Sequence, residues 1–301
     1  MILSASRRTD IPGYYSEWFV NRLKQGYVLT RNPMNQTQVS KILLSPDLID
    51  CIVFWTKDPI NMMDKLGEID ALGFNYYFQF TITPYGRDIE RNLRDKNEIV
   101  KTFRQLSEII GKDRVLWRYD PILLNDEITV QYHIDMFAKL CRELQGYTNI
   151  CTISFADVYS KISKRVKEQV LGEITETQMH DIASTLAGIG RNHGIELRAC
   201  SEIIDLSIEG IRLASCIDKE TVERVCGHTI LANKDKNQRP ECGCIQSVDI
   251  GVYNTCKNGC VYCYANHSDA SIDNNCSKHD SRSNILIGTV SENEKIINRV
   301  K

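Results

Sequence analysis

The sequence predicts an α/β protein built as a TIM-type or partial (β/α) barrel, on three observations. Short apolar runs rich in β-branched and aromatic residues recur along the 301 residues. Stretches with helical periodicity separate them, which implies a mainly parallel sheet with helical crossovers. Charged residues gather just after the apolar runs, where a parallel barrel carries its functional loops.

The expected strands cover residues 1–5, 27–30, 51–55, 76–82, 114–118, 150–155, 195–199, 248–252 and 284–288. Each is short and apolar enough to be buried between helical layers. The first expected helix starts at Ser16 and stops at Gly26. Others run over 59–72, 98–110 and 128–144, closed by Gly73, Gly111 and Gly146. Thr175 with Gln178 reads as a capping box opening a helix to about residue 192. Residues 291–299 read as a last helix, and 265–283, rich in Asn, Asp, Ser, His and Lys, as a loop. Seven to nine such repeats favour a barrel over an open sheet, with 1–301 as a single barrel-like domain.

The net charge is −2, so no global field draws the chain to nucleic acid or membrane. One basic run, Lys161 to Lys167, reads as a solvated helix face. The start shows no apolar core of a signal peptide, and no apolar run approaches about 18 residues. Together with 12 cysteines, this points to a reduced, cytoplasmic protein whose cysteines are metal ligands or core thiols. Nine of them lie at or after Cys200, so the portion 200–276 is the expected metal-binding region.

Cys256, Cys260 and Cys263 form a C-x3-C-x2-C spacing with Tyr262 before the last cysteine. A loop so spaced can turn three thiolates toward one corner of an iron–sulfur cube and leave the fourth iron open for chemistry. The alternatives are a zinc ribbon or buried thiols; zinc knuckles more often use C-x2-C pairs. Cys200, Cys216, Cys242 and Cys244 make a second set of four, fit for an auxiliary iron–sulfur cluster or a structural zinc. Gly243 lets the C-x-C pair turn tightly. Cys51, Cys141 and Cys151 read as core thiols. Cys226 and Cys276 stay unassigned, with Cys226 able to replace one of the four, and His267 and His279 read as solvated.

At the expected C-terminal ends of strands stand Arg7, Arg8 and Asp10; Lys57 and Asp58; Arg118 and Asp120; Ser154 and Asp157; and Cys200 with Glu202. If the barrel forms, these converge on one mouth. The pair Arg7 and Arg8 is placed to grip a carboxylate or phosphate. Asp58 and Asp120, each before a proline, have the plainer alternative of helix N-caps. The candidate catalytic set is Arg7, Arg8, Asp10, Lys57, Arg118, Asp120 and Glu202.

Several stretches resemble the bacterial and archaeal "domain of unknown function 1848" family: SRRTDIP (6–12), FWTKDP (54–59), WRYDPI (117–122), ACSE (199–202), CID (216–218), KDKNQR (234–239), CGC (242–244) and the segment 249–266. The resemblance spans nearly the whole chain and treats Cys200, Cys216, Cys242 and Cys244 as one group. The three-cysteine loop is similar to that of radical S-adenosylmethionine enzymes. That resemblance implies a [4Fe–4S] cluster on Cys256, Cys260 and Cys263, S-adenosylmethionine beside Tyr262, and a reductant such as ferredoxin or flavodoxin. Those enzymes carry the loop after the first strand, whereas here it follows one of the last. A circular permutation would place the Val248 strand next to the Met1 strand and restore the geometry.

The leading expectation is therefore an enzyme that reductively cleaves S-adenosylmethionine to modify a small molecule, peptide or nucleotide. The alternatives are a non-catalytic iron–sulfur electron carrier and a zinc-stabilised, nucleic-acid-binding barrel. An electron carrier has no use for a polar cavity, and a nucleic-acid binder would show a basic stripe.

Overall fold

The computed structural model describes residues 1–156, 172, 174–200, 204–238 and 242–299. Its centre is an eight-stranded sheet in the order β10-β1-β4-β5-β6-β7-β8-β9, parallel throughout. The strands are β1 (Ile2–Ala5), β4 (Cys51–Thr56), β5 (Tyr76–Thr81), β6 (Val115–Ile122), β7 (Ile150–Phe155), β8 (Glu196–Cys200), β9 (Arg212–Ala214) and β10 (Val248–Asp249). A second sheet pairs β2 (Tyr27–Asn32) with β3 (Asn35–Leu43) as a hairpin and β3 with β11 (Lys295–Arg299) in parallel. The α/β class is as the sequence predicts. Among the described residues no ladder joins the edge strands β9 and β10. Irregular chain bridges them instead, with the Ile245 amide donating to the Ile217 carbonyl at 3.0 Å.

Alternation along each strand divides the sheet into two faces. Leu3, Phe54, Phe78, Trp117 and Ile153 join the large core against the helices. Their neighbours Ile2, Val53, Tyr77, Leu116 and Ile150 form a second buried cluster on the opposite face, together with Cys200, Cys216, Cys242 and Cys244. The short helix Lys219–Cys226 packs beneath that face against β4 and β5, burying Val222. Toward the strand C-termini the same face turns polar, through Ser4, Trp55, Gln79 and Arg118. Apolar residues low and polar residues high make it a lined cavity rather than a continuous core.

The helices largely obey their sequence signals. Ser16–Gln25 ends at Gly26 in the left-handed conformation. Lys96–Ile110 starts from an Asp95 cap, and Glu176–Asn192 opens with the Thr175–Gln178 capping box. The expected helix at 59–72 is a 3₁₀ turn, Ile60–Lys65, running into Leu66–Ala71.

Several expectations are corrected. Residues 291–299 form no helix: β11 lies along the edge of β3, exposed throughout, and a tertiary edge decides its conformation. Residues 284–288 make only a bridge between Ile285 and Leu29. β2 belongs to the small sheet, paired with β3, whose polar sequence hides the long central strand of that sheet. The expected loop contains the helix Asp269–Cys276, capped by Ser268. Asp157 and the basic run 161–167 lie outside the described residues. Among the described residues no helix is long and apolar enough to cross a membrane.

The strand carrying the three-cysteine loop does stand beside the first strand: Leu3 pairs with Val248 and Ser4 with Asp249, in parallel. Two residues make a weak ladder, and side chains reinforce it. The Asp249 carboxylate accepts from Ser4 Oγ at 2.9 Å, Ser6 Oγ at 2.5 Å, the Arg7 amide at 2.9 Å and the Gly251 amide at 2.9 Å. Asp249→Ala strips these donors of a charged acceptor and lowers stability by about 1.5–3 kcal/mol. Denaturant unfolding measures it; a loss under about 0.5 kcal/mol, the surface-substitution range, would show that β10 is held by other means.

Candidate metal centre and cavity

The loop after β10 is closed on itself and then clamped from outside. The Asn254 amide donates to the Ala265 carbonyl at 2.9 Å, and the Asn266 carboxamide to the Cys256 carbonyl at 2.8 Å. The segment following β5 then grips the turn. Val261 N donates to the Ile89 carbonyl at 3.0 Å, Asn92 N to the Asn258 carbonyl at 3.1 Å, and Asn92 Nδ2 to the Lys257 carbonyl at 2.8 Å. Gly259 takes a φ of 69°, and a Cβ there would come within 2.9 Å of Asn92 Nδ2. Only glycine combines that left-handed turn with so close a neighbour.

This clamp leaves Cys256, Cys260 and Cys263 half-buried on the wall of a cavity of about 460 Å³. Burial pushes all three thiols upward, that of Cys260 to about 12 even though the Lys57 ammonium opposes it. A metal would displace their protons. The Ala265 amide points at Cys263 Sγ from 3.4 Å, as an amide does toward a ligated thiolate. Three thiols on one cavity wall and an amide aimed at one of them are the donor types that an iron–sulfur cluster would take.

Behind the loop lies a polar brace. Asp10, expected among the catalytic groups, is buried in the cavity lining and braces three segments. Its carboxylate accepts from the Gly13 amide at 2.8 Å, the Lys57 amide at 2.8 Å and Asn258 Nδ2 at 3.1 Å. It thus joins the ends of β1 and β4 to the cysteine loop. Asp58 caps no regular helix; it forms a two-point ion pair with Arg94. Lys57 reaches Glu90, 2.7 Å from Nζ to Oε1, with the Tyr262 ring 5.5 Å from the same ammonium.

Glu90 is the residue that sequence reasoning missed. Fully buried, it also binds Lys96, Thr83 Oγ1 at 2.8 Å and the Tyr262 hydroxyl. Burial alone would raise its carboxyl; the ammonium groups of Lys57 and Lys96 override that and hold it at about 2. It sits nine residues past the end of β5, too far along the chain for strand-end logic to find.

Across the cavity stand the two arginines of β6 and the first loop. Arg118 donates from Nε to Asp120 at 2.9 Å and from Nη1 to Cys216 Sγ at 3.2 Å. Asp120 is no helix cap, since it lies within β6 and also accepts from Ser154 Oγ. Arg7 and Arg118 both lie over Trp55, at 5.0 and 5.4 Å from the ring centroid. Arg8 turns away to the Gly251 carbonyl at 3.3 Å and the Tyr253 ring. Arg7, Arg8, Asp10, Lys57, Arg118 and Asp120 nevertheless all line the one cavity. So do Tyr262 and the second cysteine set, Cys200, Cys216, Cys242 and Cys244. Glu202 lies outside the described residues.

In the second set Cys200 Sγ and Cys216 Sγ are 2.7 Å apart. Hydrogen bonds from the Cys200 and Cys244 thiols, with Arg118 and Arg7 nearby, pull the Cys216 thiol well below its usual range against the effect of burial. Cys226 is not a member; its sulfur faces the Glu223 and His228 carbonyls at the end of a helix. Cys276 sits behind the cysteine loop, 3.3 Å from the Tyr15 hydroxyl. Cys51, Cys141 and Cys151 are buried, as expected of core thiols. His267 is exposed, but His279 is packed, 4.7 Å from the Tyr15 ring with Nδ1 at the Leu286 carbonyl. Among the described residues no group of three or more His, Cys, Asp or Glu stands in metal-holding geometry as it is.

Residues 2–265 match the family described as Domain of unknown function (DUF1848), and the chain belongs to that family. No curated protein matches it. Among solved structures, a candidate alpha-L-fucosidase from Bacteroides thetaiotaomicron is similar at a TM-score of 0.26 and 12% identity, over 60% of this chain and 74% of that one. Likeness at that level carries no argument.

Glu90→Gln removes the carboxylate from two ammonium groups and lowers stability by about 3 kcal/mol at pH 7. Because the folded-state pKa is depressed from 4.5 to about 2, this stabilisation is complete above pH 4.5 and fades as pH falls toward 2. The gap between wild type and variant, read by urea titration at several pH values, therefore narrows over that range. A gap independent of pH would overturn the ionised assignment.

Proposed function

We propose that the chain is an iron–sulfur enzyme of the radical S-adenosylmethionine type, acting on a substrate held in the cavity between its two cysteine sets. One observation carries this reading. The C-x3-C-x2-C loop leaves the C-terminal end of a strand paired in parallel with β1, and all three cysteines face the cavity into which the other strand ends project. An electron carrier or a zinc ribbon has no need of a cavity lined by so many charged side chains.

Cys256, Cys260 and Cys263 would hold the cluster through their thiolates, and Tyr262 would form the adjacent wall. The chemistry such a cluster would supply, given one electron from ferredoxin or flavodoxin, is reductive cleavage of S-adenosylmethionine. The protein's own contribution is orientation and exclusion of water. Asp10 and Asn258 fix the loop against β1 and β4. Glu90 holds Lys57 and Tyr262 in place. Trp55 and Tyr264 supply aromatic wall. Arg8, at the cavity rim, is held by the Gly251 carbonyl at 3.3 Å, Asp249 at 3.9 Å and the Tyr253 ring.

Anaerobic protein, reconstituted with iron and sulfide and reduced with dithionite, is expected to release 5′-deoxyadenosine from S-adenosylmethionine. Its EPR signal shifts when S-adenosylmethionine is added. The C256A/C260A/C263A variant loses both. An intact cluster that neither responds to S-adenosylmethionine nor yields product would favour the electron-transfer reading. Zinc in place of iron in protein isolated without oxygen would sink the proposal.

A further inference from the structure

We infer that Cys200, Cys216, Cys242 and Cys244 form a second, closed metal centre with four thiolate ligands, and that Arg7 and Arg118 balance its charge rather than grip substrate. The inference does not rest on the radical reading; it concerns the opposite wall of the cavity.

Three separate segments bring the four sulfurs together: the end of β8, the chain after β9, and the C-x-C pair before β10. All four cysteines are at most 8% exposed. Cys200 touches Cys216, Cys216 also lies within hydrogen-bond reach of Cys244, and Cys244 within reach of Cys242. The convergence is built into the backbone. A Cβ on Gly243 would come within 2.4 Å of Ser215 Oγ, so the C-x-C pair packs closely on the residue before Cys216. The Cys216 carbonyl is held by Gln79 Nε2 at 2.7 Å and the Tyr77 hydroxyl at 3.3 Å. The sulfurs also have donors suited to thiolates: Ile217 N to Cys244 at 3.4 Å and Arg118 Nη1 to Cys216 at 3.2 Å.

Charge points the same way. Four thiolates around Zn²⁺, or around a [4Fe–4S]²⁺ core, carry a net charge of about −2. Buried, that charge needs compensation. Four cations but only two carboxylates line the cavity. Arg7 Nη2 is buried and has no hydrogen-bond partner among the described residues, while the acidic groups that act on its guanidinium include the Cys244 and Cys216 thiols together with the Asp249 carboxylate. A buried guanidinium nitrogen left without an acceptor is rare, and an anionic thiolate centre supplies what it lacks. As the metal enters, each sulfur gives its proton to solvent. Around zinc the sulfurs spread to about 3.8 Å apart, as bonds of about 2.3 Å in a tetrahedron require.

The test uses protein isolated without oxygen. Metal content is measured for the wild type, C256A/C260A/C263A and Cys216→Ala, with circular dichroism to verify folding. The triple variant is expected to keep one zinc, or one cluster's worth of iron, per chain; Cys216→Ala loses that share. Native alkylation mapped by mass spectrometry should spare these four cysteines until a chelator is added, which decides the matter even if a variant fails to fold. Arg7→Met and Arg118→Met lower metal retention and, for an iron centre, move its midpoint potential downward. A substrate-gripping role would leave both unchanged. A folded triple variant without metal, undiminished metal in Cys216→Ala, or a Cys200–Cys216 disulfide in the anaerobic protein overturns the inference. Loss of S-adenosylmethionine cleavage with this metal retained would bear on the proposed activity alone.

Discussion

The Asp249 carboxylate is the interaction on which the rest of the site depends. β10 has two residues, so its ladder to β1 supplies little by itself. Four donors from β1, the turn after it and the chain leaving β10 converge on one side chain. That convergence places a loop from the far end of the chain on the same rim as Arg7 and Asp10. Charge-assisted bonds of this kind are worth more than neutral ones, which is why so short a strand can hold its register. Every later contact of the loop, from Asn258 on Asp10 to Val261 on Ile89, presupposes it.

A second layer of constraint is electrostatic. The cavity wall mixes buried ammonium, guanidinium, carboxylate and thiol groups, and most of them, Arg7 Nη2 excepted, have an identifiable counterpart. Glu90 serves Lys57 and Lys96, Asp120 serves Arg118, and Asp10 takes neutral amides. A water-poor pocket tolerates such groups only when they are paired. The pairing also fixes rotamers, so the cysteine walls face each other across a rigid rather than a pliable space.

Much of this was legible in the sequence, because the signals were local. Strands such as Cys51–Thr56 and Ile150–Phe155 announce themselves by buried apolar runs, and the Thr175 capping box by two side chains three residues apart. Strand-end logic brought Arg7, Lys57, Arg118 and Asp120 to one cavity because parallel strands share a polarity. What escaped depends on partners distant in sequence. Lys295–Arg299 reads as a helix in isolation and becomes a strand only because β3 offers an edge. Glu90 carries no motif; its importance arises from four residues that the fold delivers to it. Asp10 reads from the sequence as a polar group at a strand end; that it also accepts from Gly13, Lys57 and Asn258, and so ties three segments together, appears only in the fold.

The pairing of residue 3 with residue 248 also governs the order of events at the ribosome. One edge of β1 has no strand partner until nearly the whole chain has been made, which at bacterial to eukaryotic synthesis rates is roughly ten to fifty seconds. An unpaired parallel edge is a template for the wrong strand. The charged Ser-Arg-Arg-Thr-Asp turn that follows β1 sits at that edge throughout the wait, a sequence poor at extending a sheet. The nascent chain cannot enclose the three-cysteine loop in its cavity early. Any metal it receives there must arrive after translation has passed residue 263.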